Sequence, residues 1–444
     1  MAELFIGSHG YLLSFSFGHT QVSLRVALFI ILLAFSLIHI RRIPLVFNRL
    51  QLKRLVIMLA PLAVFVVFAF LRGLYNGYNF GAVFFDANAY FYFALVLPLL
   101  IASRGEEFTN KCLGLLLVAA GYIAVKTILV FYFFTHPYFQ FFDLDLYVWL
   151  RDSKVGEFTP TGTGLYRIFI QSQLYVLVAW TYLSVLVLRG PIWLYKRDIA
   201  YLGLLAAALI VSFSRSFWLG WIAALGVIIF YHFITKKFEF GIRYIAAGGA
   251  SVLLGYLLLV GVIVFPFPGF SSGAHLELDE RLTASDAAAS SRWNLLAPLW
   301  HAIEQHELLG SGFGSSVTYI SNDPRVRASS ASGTYTTTAF EWGYLDMWLK
   351  LGLLGVAAYG VLIVTIFWGA VKTLKQAKTE SFGLLFGLIA VLFVNIGSPY
   401  LNHPLGIGLI LLSALVYGAG LTKAENSAIN KSSTLLTVPG KAIY

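Results

Sequence analysis

The sequence predicts an all-α membrane protein, a polytopic helix bundle of about 11–12 transmembrane helices with one large external loop. Hydrophobic residues make up 59% of the 444 residues and charged residues only 12%, whereas a soluble domain has roughly 45–50% and about 25%. The mean hydropathy is +0.79. Apolar runs of about 17–25 residues, the length that crosses the hydrocarbon core, recur along the chain. These observations exclude an ordinary soluble protein.

The apolar runs mark about eleven membrane helices in order along the chain. Residues 1–20 are a candidate for a further half-span. The single cysteine, Cys112, excludes an internal disulfide. The expected spans are 22–40, 55–71, 84–102, 113–134, 167–188, 199–213, 217–235, 244–266, 344–371, 382–397 and 403–421.

Lysines and arginines collect in alternate gaps between these runs, as they do in short cytoplasmic loops. With the N-terminus outside, the basic gaps lie inside, at residues 41–54, 104–111, 189–197, 236–243, 372–378 and 423–441. The net charge of +10 is then explained by membrane topology, and we expect no nucleic acid partner.

This topology divides a single membrane domain into four parts. N-terminal membrane helices occupy residues 1–266, a large external loop residues 267–343, C-terminal membrane helices residues 344–422, and a cytoplasmic tail residues 423–444. A second external segment covers residues 135–166, so two segments are long enough to carry chemistry.

Part of the large loop has the pattern of an amphipathic helix. Leu295, Leu296, Leu299 and Ile303 recur at helical spacing, which predicts a helix lying on the bundle. Glycines 310, 312 and 314 are expected to end it. Residues 317–338 are rich in Ser, Thr and Gly and are expected to form a mobile loop.

Charged residues at membrane depth need a partner or a purpose. The candidates are Arg25, Asp86, Lys126, Arg215, Asp346 and Lys350. Arg215 lies between two serines at an external junction of two spans, where its guanidinium suits a phosphate; a snorkelling interfacial arginine is the alternative. Arg292, on the external helix, is either a solvated charge or the second half of an anion clamp.

The remaining charges allow more than one interpretation. Asp346 and Lys350 are four residues apart, which favours a buried structural ion pair over catalytic groups. Lys126 lies mid-span and either contacts a diphosphate or pairs with Asp86. We expect no metal site. Asp143 and Asp145 have the D-x-D spacing of metal-dependent glycosyltransferases, but their aromatic neighbours favour an interfacial helix.

Three segments together resemble a known family. They are "SFSRSFWLGWIAAL", "RWNLLAPLWHAIEQHELLGSGFGS" and "EWGYLDMWLKLGLLG", and their order and external placement are similar to the bacterial O-antigen ligase and O-antigen polymerase superfamily. The detailed resemblance covers roughly residues 200–360, and the rest of the chain resembles the family in topology.

The resemblance implies a cofactor-free, metal-independent glycosyltransferase of the cytoplasmic (inner) membrane whose active site faces the periplasm. Such enzymes move a glycan from undecaprenyl diphosphate to an acceptor hydroxyl. In the polymerases the acceptor is another carrier-linked repeat unit, and in the ligases it is lipid A-core. Implied partners are therefore the lipid-linked glycan donor, a glycan or lipid A-core acceptor and membrane lipid, with a chain-length regulator protein as a further candidate.

The family signature is altered at one position. In the ligases a histidine lies eleven residues before the first glycine of Gly-x-x-Gly, here Gly352 and Gly355, and this position is Glu341, followed by Trp342. The departure favours a polymerase or an exopolysaccharide enzyme over a strict ligase.

Glu341 is the candidate general base, because glycosyl transfer from a diphosphate needs a group that deprotonates the attacking hydroxyl. We expect partial desolvation at the junction of polar loop and apolar helix to strengthen it as a base. The alternative is a glutamate that only stabilises the helix macrodipole. Trp293 and Tyr335 are candidates for stacking on sugar rings.

A secondary transporter or flippase of a lipid-linked oligosaccharide is the main alternative from another class. Transporters of this kind show internal repeats and broken helices near the midplane, and no convincing match between the halves of the sequence is present. A purely structural scaffold leaves Arg215 and Glu341 unexplained.

The predicted topology can be tested with Ser330→Cys in a background lacking Cys112. In intact cells this cysteine should react with a membrane-impermeant thiol reagent, since residues 267–343 are expected outside. Lys237→Cys, in an inner loop, is the matched control and should react only after permeabilisation. The reverse pattern would overturn the orientation.

Overall fold

The structure, a computed structural model, describes residues 1–7, 14–17, 20–42, 49–102, 106–136, 156–160, 165–187, 196–265, 287–330, 332–374 and 379–417. Most of these residues are helical. In chain order the helices are α1 Ala2–Ile6, α2 Leu24–Ile38, α3 Arg49–Tyr75, α4 Phe80–Phe91, α5 Val96–Ala102, α6 Glu106–Thr135, α7 Gln173–Val187, α8 Lys196–Val211, α9 Arg215–Ile234, α10 Phe238–Val264, α11 Ala287–Glu304, α12 Pro324–Ser329, α13 Gly343–Leu374, α14 Thr379–Val394 and α15 Pro404–Tyr417.

The strands form three antiparallel hairpins. They are β1 Ser14–Phe17 with β2 Thr20–Ser23, β3 Glu157–Pro160 with β4 Tyr166–Phe169, and β5 Val317–Ile320 with β6 Thr334–Thr337. Short 3₁₀ turns occupy Ile40–Arg42 and Tyr92–Leu95.

The membrane helix bundle predicted from the sequence is confirmed, because each expected span contains a helix. Six helical segments of the described residues are long and apolar enough to cross a membrane: Lys53–Tyr75, Phe80–Ala102, Asn110–Thr135, Arg215–Ile234, Phe238–Val264 and Gly343–Lys372. Shorter apolar helices cover Leu24–Ile38, Gln173–Val187, Phe382–Val394 and Pro404–Tyr417.

The expected span 167–188 starts later than its apolar run. Residues 166–169 pair with β3 as a strand, and the helix begins at Gln173. Alternation explains the difference, because Ile168 is fully buried while its neighbours Arg167 and Phe169 are only partly so. A short apolar run of this kind suits a half-buried strand as well as a helix.

The candidate half-span at residues 1–20 contains no spanning helix in its described part. Helix α1 is five residues long, and its Phe5 is fully buried in the main core of the bundle. Arg25, at the start of α2, pairs with Glu3 of α1, with Nε 3.0 Å from Oε2 and both side chains largely buried. This pair supplies the partner that a charge at membrane depth requires.

The described part of the large loop, residues 287–330 and 332–343, contains regular secondary structure. Its amphipathic helix is confirmed as α11, with Leu295, Leu299 and Ile303 buried and Leu296 half-buried. Within residues 317–338, where the sequence predicts a mobile loop, the described residues contain hairpin β5–β6 and α12.

Cross-strand pairs account for this hairpin. The hydroxyls of Thr318 and Thr336 hydrogen-bond at 2.8 Å, and the rings of Tyr319 and Tyr335 meet edge to face with centroids 6.0 Å apart. Pairs of β-branched and aromatic residues stabilise antiparallel strands. The Ser, Thr and Gly content of a segment does not show which residues will pair across strands.

Helix α13 is broken at Gly352, whose φ of 73° and ψ of 172° are not helical. The break frees backbone groups that bond the segment following α11. The hydrogen bonds are Leu353 N to Glu307 O (2.8 Å), Leu354 N to Leu308 O (3.2 Å), Ser311 N to Leu349 O (2.6 Å) and Gly312 N to Lys350 O (3.2 Å). We call this set the Gly352 interlock.

Glycine is required on both sides of the Gly352 interlock. A Cβ atom at Gly352 would collide with the backbone of Leu308 and Gly310, and one at Gly310 would lie 2.6 Å from the Lys350 carbonyl. Gly310 also has a positive φ of 70°, which side chains disfavour. The large loop is therefore fixed to α13 backbone against backbone.

Lys350 joins the same region through charge. Its Nζ lies 2.7 Å from Asp346 Oδ1 and 2.9 Å from Asp86 Oδ1, and it donates to the Thr338 carbonyl at 2.8 Å. The other oxygen of Asp86 accepts a hydrogen bond from Gly314 N at 2.8 Å. The predicted pair of Asp346 and Lys350 is confirmed, and it is extended to α4 and the glycine-rich turn.

One alternative for Lys126 is thereby wrong. Asp86 pairs with Lys350 on a helix 264 positions away, so it is not the partner of Lys126.

Asp346 also accepts a hydrogen bond from the Asn402 side chain, which satisfies its second oxygen.

Lys350→Met should strongly reduce the yield of folded protein, because it leaves two buried carboxylates facing each other without a cation. Breaking a buried ion pair costs about 3–5 kcal/mol. The measurement is the thermal midpoint of the detergent-purified protein. Lys372→Met, exposed near the far end of the same helix, is the matched control and should behave like wild type. Equal midpoints for the two variants would contradict a stabilising role for the Lys350 cluster.

Candidate active site

An open pocket of about 150 Å³ lies where four chain segments meet. The segments are the start of α9, the start of α11, the residues before α13 and the turn after α14. The lining residues are Arg215, Arg292, Trp293, Glu341, Trp342 and Gly397. The volume suits a phosphate-sized group and the edge of a sugar, and the opening leaves the remainder of a larger ligand outside.

The residues that line the pocket come from segments between the expected spans or at their ends, and the predicted topology places all of these segments on one side of the membrane. Two expected spans separate Arg215 from the large loop, and two separate Glu341 from Gly397. An even number of crossings returns the chain to the same side, so the meeting of these residues agrees with the alternation derived from the basic loops.

Arg215 is the first residue of α9 and is half-buried. The turn before it contains Phe213 with a positive φ of 43°. The hydroxyl of Ser216 bonds those of Ser214 at 3.0 Å and Ser398 at 2.9 Å. These contacts hold the turn against the α14–α15 connection. The first N–H groups of α9 lack intrahelical acceptors and lie at the same end of the helix as Arg215.

Arg167 also contacts this turn, and sequence reasoning missed it. Its Nε donates to the Ser212 carbonyl at 3.1 Å, and its Nη1 lies 3.5 Å from Glu157 Oε2. Its guanidinium lies 4.8 Å from the centre of the Phe169 ring, which in turn stacks on Phe217 of α9. The available signal is its position: Arg167 is the first residue of the expected span 167–188, at the edge of the apolar run.

Arg292 and Glu341 form an ion pair inside the pocket, with the Arg292 Nε toward Glu341 Oε2. Their side chains are 34% and 52% exposed. About half of the Glu341 side chain is therefore removed from solvent, two positions before the start of α13. Its carboxylate has a cationic partner.

Backbone contacts fix the relative position of these two residues. The Trp342 indole donates to the Arg292 carbonyl at 3.0 Å, and its ring meets Trp293 at 5.5 Å between centroids. Gly343 packs so closely on the Asn395 carbonyl that a Cβ atom would collide with it. The start of α13 is thus held between the large loop and the turn after α14.

The structure brings four of the six predicted site residues together: Arg215, Arg292, Trp293 and Glu341. Lys126, half-buried on α6, and Tyr335, on hairpin β5–β6, are absent from the lining of this pocket. Asp143 and Asp145 lie outside the described residues.

The pocket combines two cations, one carboxylate and an exposed indole. Two arginines can bind an anion in forked geometry, and the carboxylate can accept a proton. Among the residues that the structure describes, no group of three or more His, Cys, Asp or Glu side chains is placed to hold a metal ion. The chemistry available to the described side chains is anion binding beside a proton acceptor.

Residues 200–360 match the family model described as O-antigen ligase. This match covers the same residues as the resemblance drawn from the three sequence segments and supports it. The family indicates an O-antigen ligase/polymerase-type function and a membrane glycosyltransferase-like enzyme. No curated protein and no solved structure matches the chain.

Proposed function

We propose that this protein transfers a glycan from undecaprenyl diphosphate to an acceptor hydroxyl at the outer face of the bacterial cytoplasmic membrane, as an O-antigen or exopolysaccharide polymerase. The observation that carries the proposal is the pocket in which Arg215, Arg292 and Glu341 meet from three separate segments. The match of residues 200–360 to the family model described as O-antigen ligase supports the reaction type.

The two arginines are the clamp for the donor's diphosphate. Arg215 projects from the start of α9 and Arg292 from the first half of α11, so the leaving group lies between a membrane helix and the large loop. Charge that develops on the departing diphosphate is neutralised by the guanidinium groups. This requires no metal ion.

Glu341 is the general base. The acceptor oxygen attacks the anomeric carbon of the donor sugar and forms the new glycosidic bond. The bond between that carbon and the diphosphate oxygen breaks, and its electron pair leaves with undecaprenyl diphosphate. The hydroxyl proton passes to the Glu341 carboxylate and then to water. Trp293, 60% exposed at the pocket edge, offers an apolar face to a sugar ring.

The acceptor distinguishes two candidate activities. Glu341, where the resemblance leads us to expect a histidine, favours a polymerase, whose acceptor is another carrier-linked repeat unit and whose product length a separate regulator protein can set. Attachment to lipid A-core is the second candidate, and the description of the matching family model favours it. An assay that supplies each acceptor separately decides between them.

The clamp can be tested with Arg215→Lys. Lysine keeps the charge but loses the forked donor geometry that matches a phosphate, so transfer should fall by at least about tenfold, the loss of roughly one charge-assisted hydrogen bond. The measurement is product formed from a purified carrier-linked donor, normalised to folded protein. Full activity in both Arg215→Ala and Arg292→Ala would exclude the clamp.

The base can be tested in the same assay with Glu341→Gln, which keeps the size of the side chain and removes its basicity. Loss of a general base lowers turnover by about 10²–10⁴. Glu341→His should restore part of the activity, since histidine accepts a proton near neutral pH. Asp346→Asn, in the buried cluster, is the control and should lower the amount of folded protein more than turnover per molecule. Unchanged turnover in Glu341→Gln would exclude the role of general base and leave Glu341 as a charge that stabilises the start of α13.

A further inference from the structure

In the ion pair of the pocket, Arg292 and Glu341 contact each other, whereas the proposed reaction requires each of them to contact a substrate. Arg292 has to present its guanidinium to the diphosphate, and Glu341 has to present its carboxylate to the acceptor hydroxyl. In this structure the Nε of Arg292 faces Glu341 Oε2. Each group therefore occupies part of the other's binding capacity.

We propose that Glu341 is an internal competitor for the donor: it occupies Arg292 while the pocket is empty and is released when the diphosphate takes its place. This inference rests on the proposed function and adds the order in which the two substrates bind. The donor binds first, and its binding frees the base for the acceptor. An acceptor that arrives alone meets a carboxylate still held by Arg292.

The strengths of the two interactions allow the exchange. The Arg292 and Glu341 side chains are 34% and 52% exposed, and ion pairs at such exposure shift an equilibrium by no more than about fivefold. A diphosphate offers more than one oxygen to the guanidinium fork, and charge-assisted forked bonds are the stronger kind. The donor can therefore displace the carboxylate at a small loss of affinity.

The surroundings confine the change to the two side chains. The Arg292 carbonyl accepts from the Trp342 indole, and the Gly352 interlock holds the segment after α11 against α13. The backbones that carry the pair stay fixed while the pair opens. A neutral histidine at position 341 would not compete for Arg292 through charge, so the device depends on the glutamate of this chain.

The test is the affinity of undecaprenyl diphosphate for the full-length protein in lipid nanodiscs, measured by calorimetry. Glu341→Gln removes the competitor, so it should bind this lipid up to about fivefold more tightly than wild type, although its transfer activity is lost. Glu304→Gln removes the same charge from α11 at similar exposure, 50%, and should bind like wild type because Glu304 does not line the pocket.

Glu341→Asp separates competition from simple charge repulsion. Aspartate keeps the negative charge but is one methylene shorter and loses its reach to Arg292, so competition predicts tighter binding than wild type. Wild-type affinity in Glu341→Asp together with tighter binding in Glu341→Gln would leave repulsion alone and overturn the inference, as would wild-type affinity in both variants.

A separate result would mark the failure of the proposed function. If wild type does not bind undecaprenyl diphosphate, or binds it equally after Arg215→Ala, the pocket is not the donor site. If Arg215→Ala weakens binding while both Glu341 variants bind like wild type, the donor site stands and only the internal competition is overturned.

Discussion

The break of α13 at Gly352 is the constraint on which the pocket depends. A continuous helix would use its own carbonyl and N–H groups at residues 349–354. Because Gly352 leaves the helical conformation, those groups are available to residues 307–312 of the large loop. The loop is thereby attached to a membrane helix by main-chain hydrogen bonds, which depend on the local backbone geometry and little on the side chains.

Two further layers secure the same junction. Lys350 links Asp346 of its own helix to Asp86 of α4, and the N–H of Gly314 reaches the second oxygen of Asp86. Above them, Leu295, Leu299 and Ile303 of α11 pack with Phe340 and Leu349 in a small apolar cluster. Backbone, charge and apolar contacts all hold α11 in the register that faces Arg292 toward Glu341. A pocket that handles a charged leaving group requires such preorganisation.

The part of the fold that follows from local patterns could be predicted from the sequence. Hydropathy located the spans, because each must supply about 30 Å of apolar helix. Leucine spacing located α11. The chemistry of isolated arginine and glutamate residues at helix junctions identified Arg215, Arg292 and Glu341 as candidates, which the structure brings into one pocket.

The remaining features depend on partners distant in the chain. The sequence around Asp86 does not indicate that its cationic partner is Lys350. Nor does the sequence around Gly352 indicate that the N–H groups of the next two residues bond the carbonyls of Glu307 and Leu308. Arg167 was hidden because a short strand and the start of a membrane helix share one apolar pattern. The pairing of Glu341 with Arg292 was not predictable either, since it depends on how the large loop packs against the start of α13.

The central claim is that the diphosphate of a lipid-linked glycan binds between Arg215 and Arg292. An experimental structure of the full-length protein in nanodiscs with undecaprenyl diphosphate tests it most directly. We expect both phosphate groups in the pocket, within hydrogen-bonding distance of the two guanidinium groups, with Glu341 separated from Arg292. A diphosphate bound elsewhere, for example beside Lys126, with the Arg292–Glu341 pair intact, would contradict it.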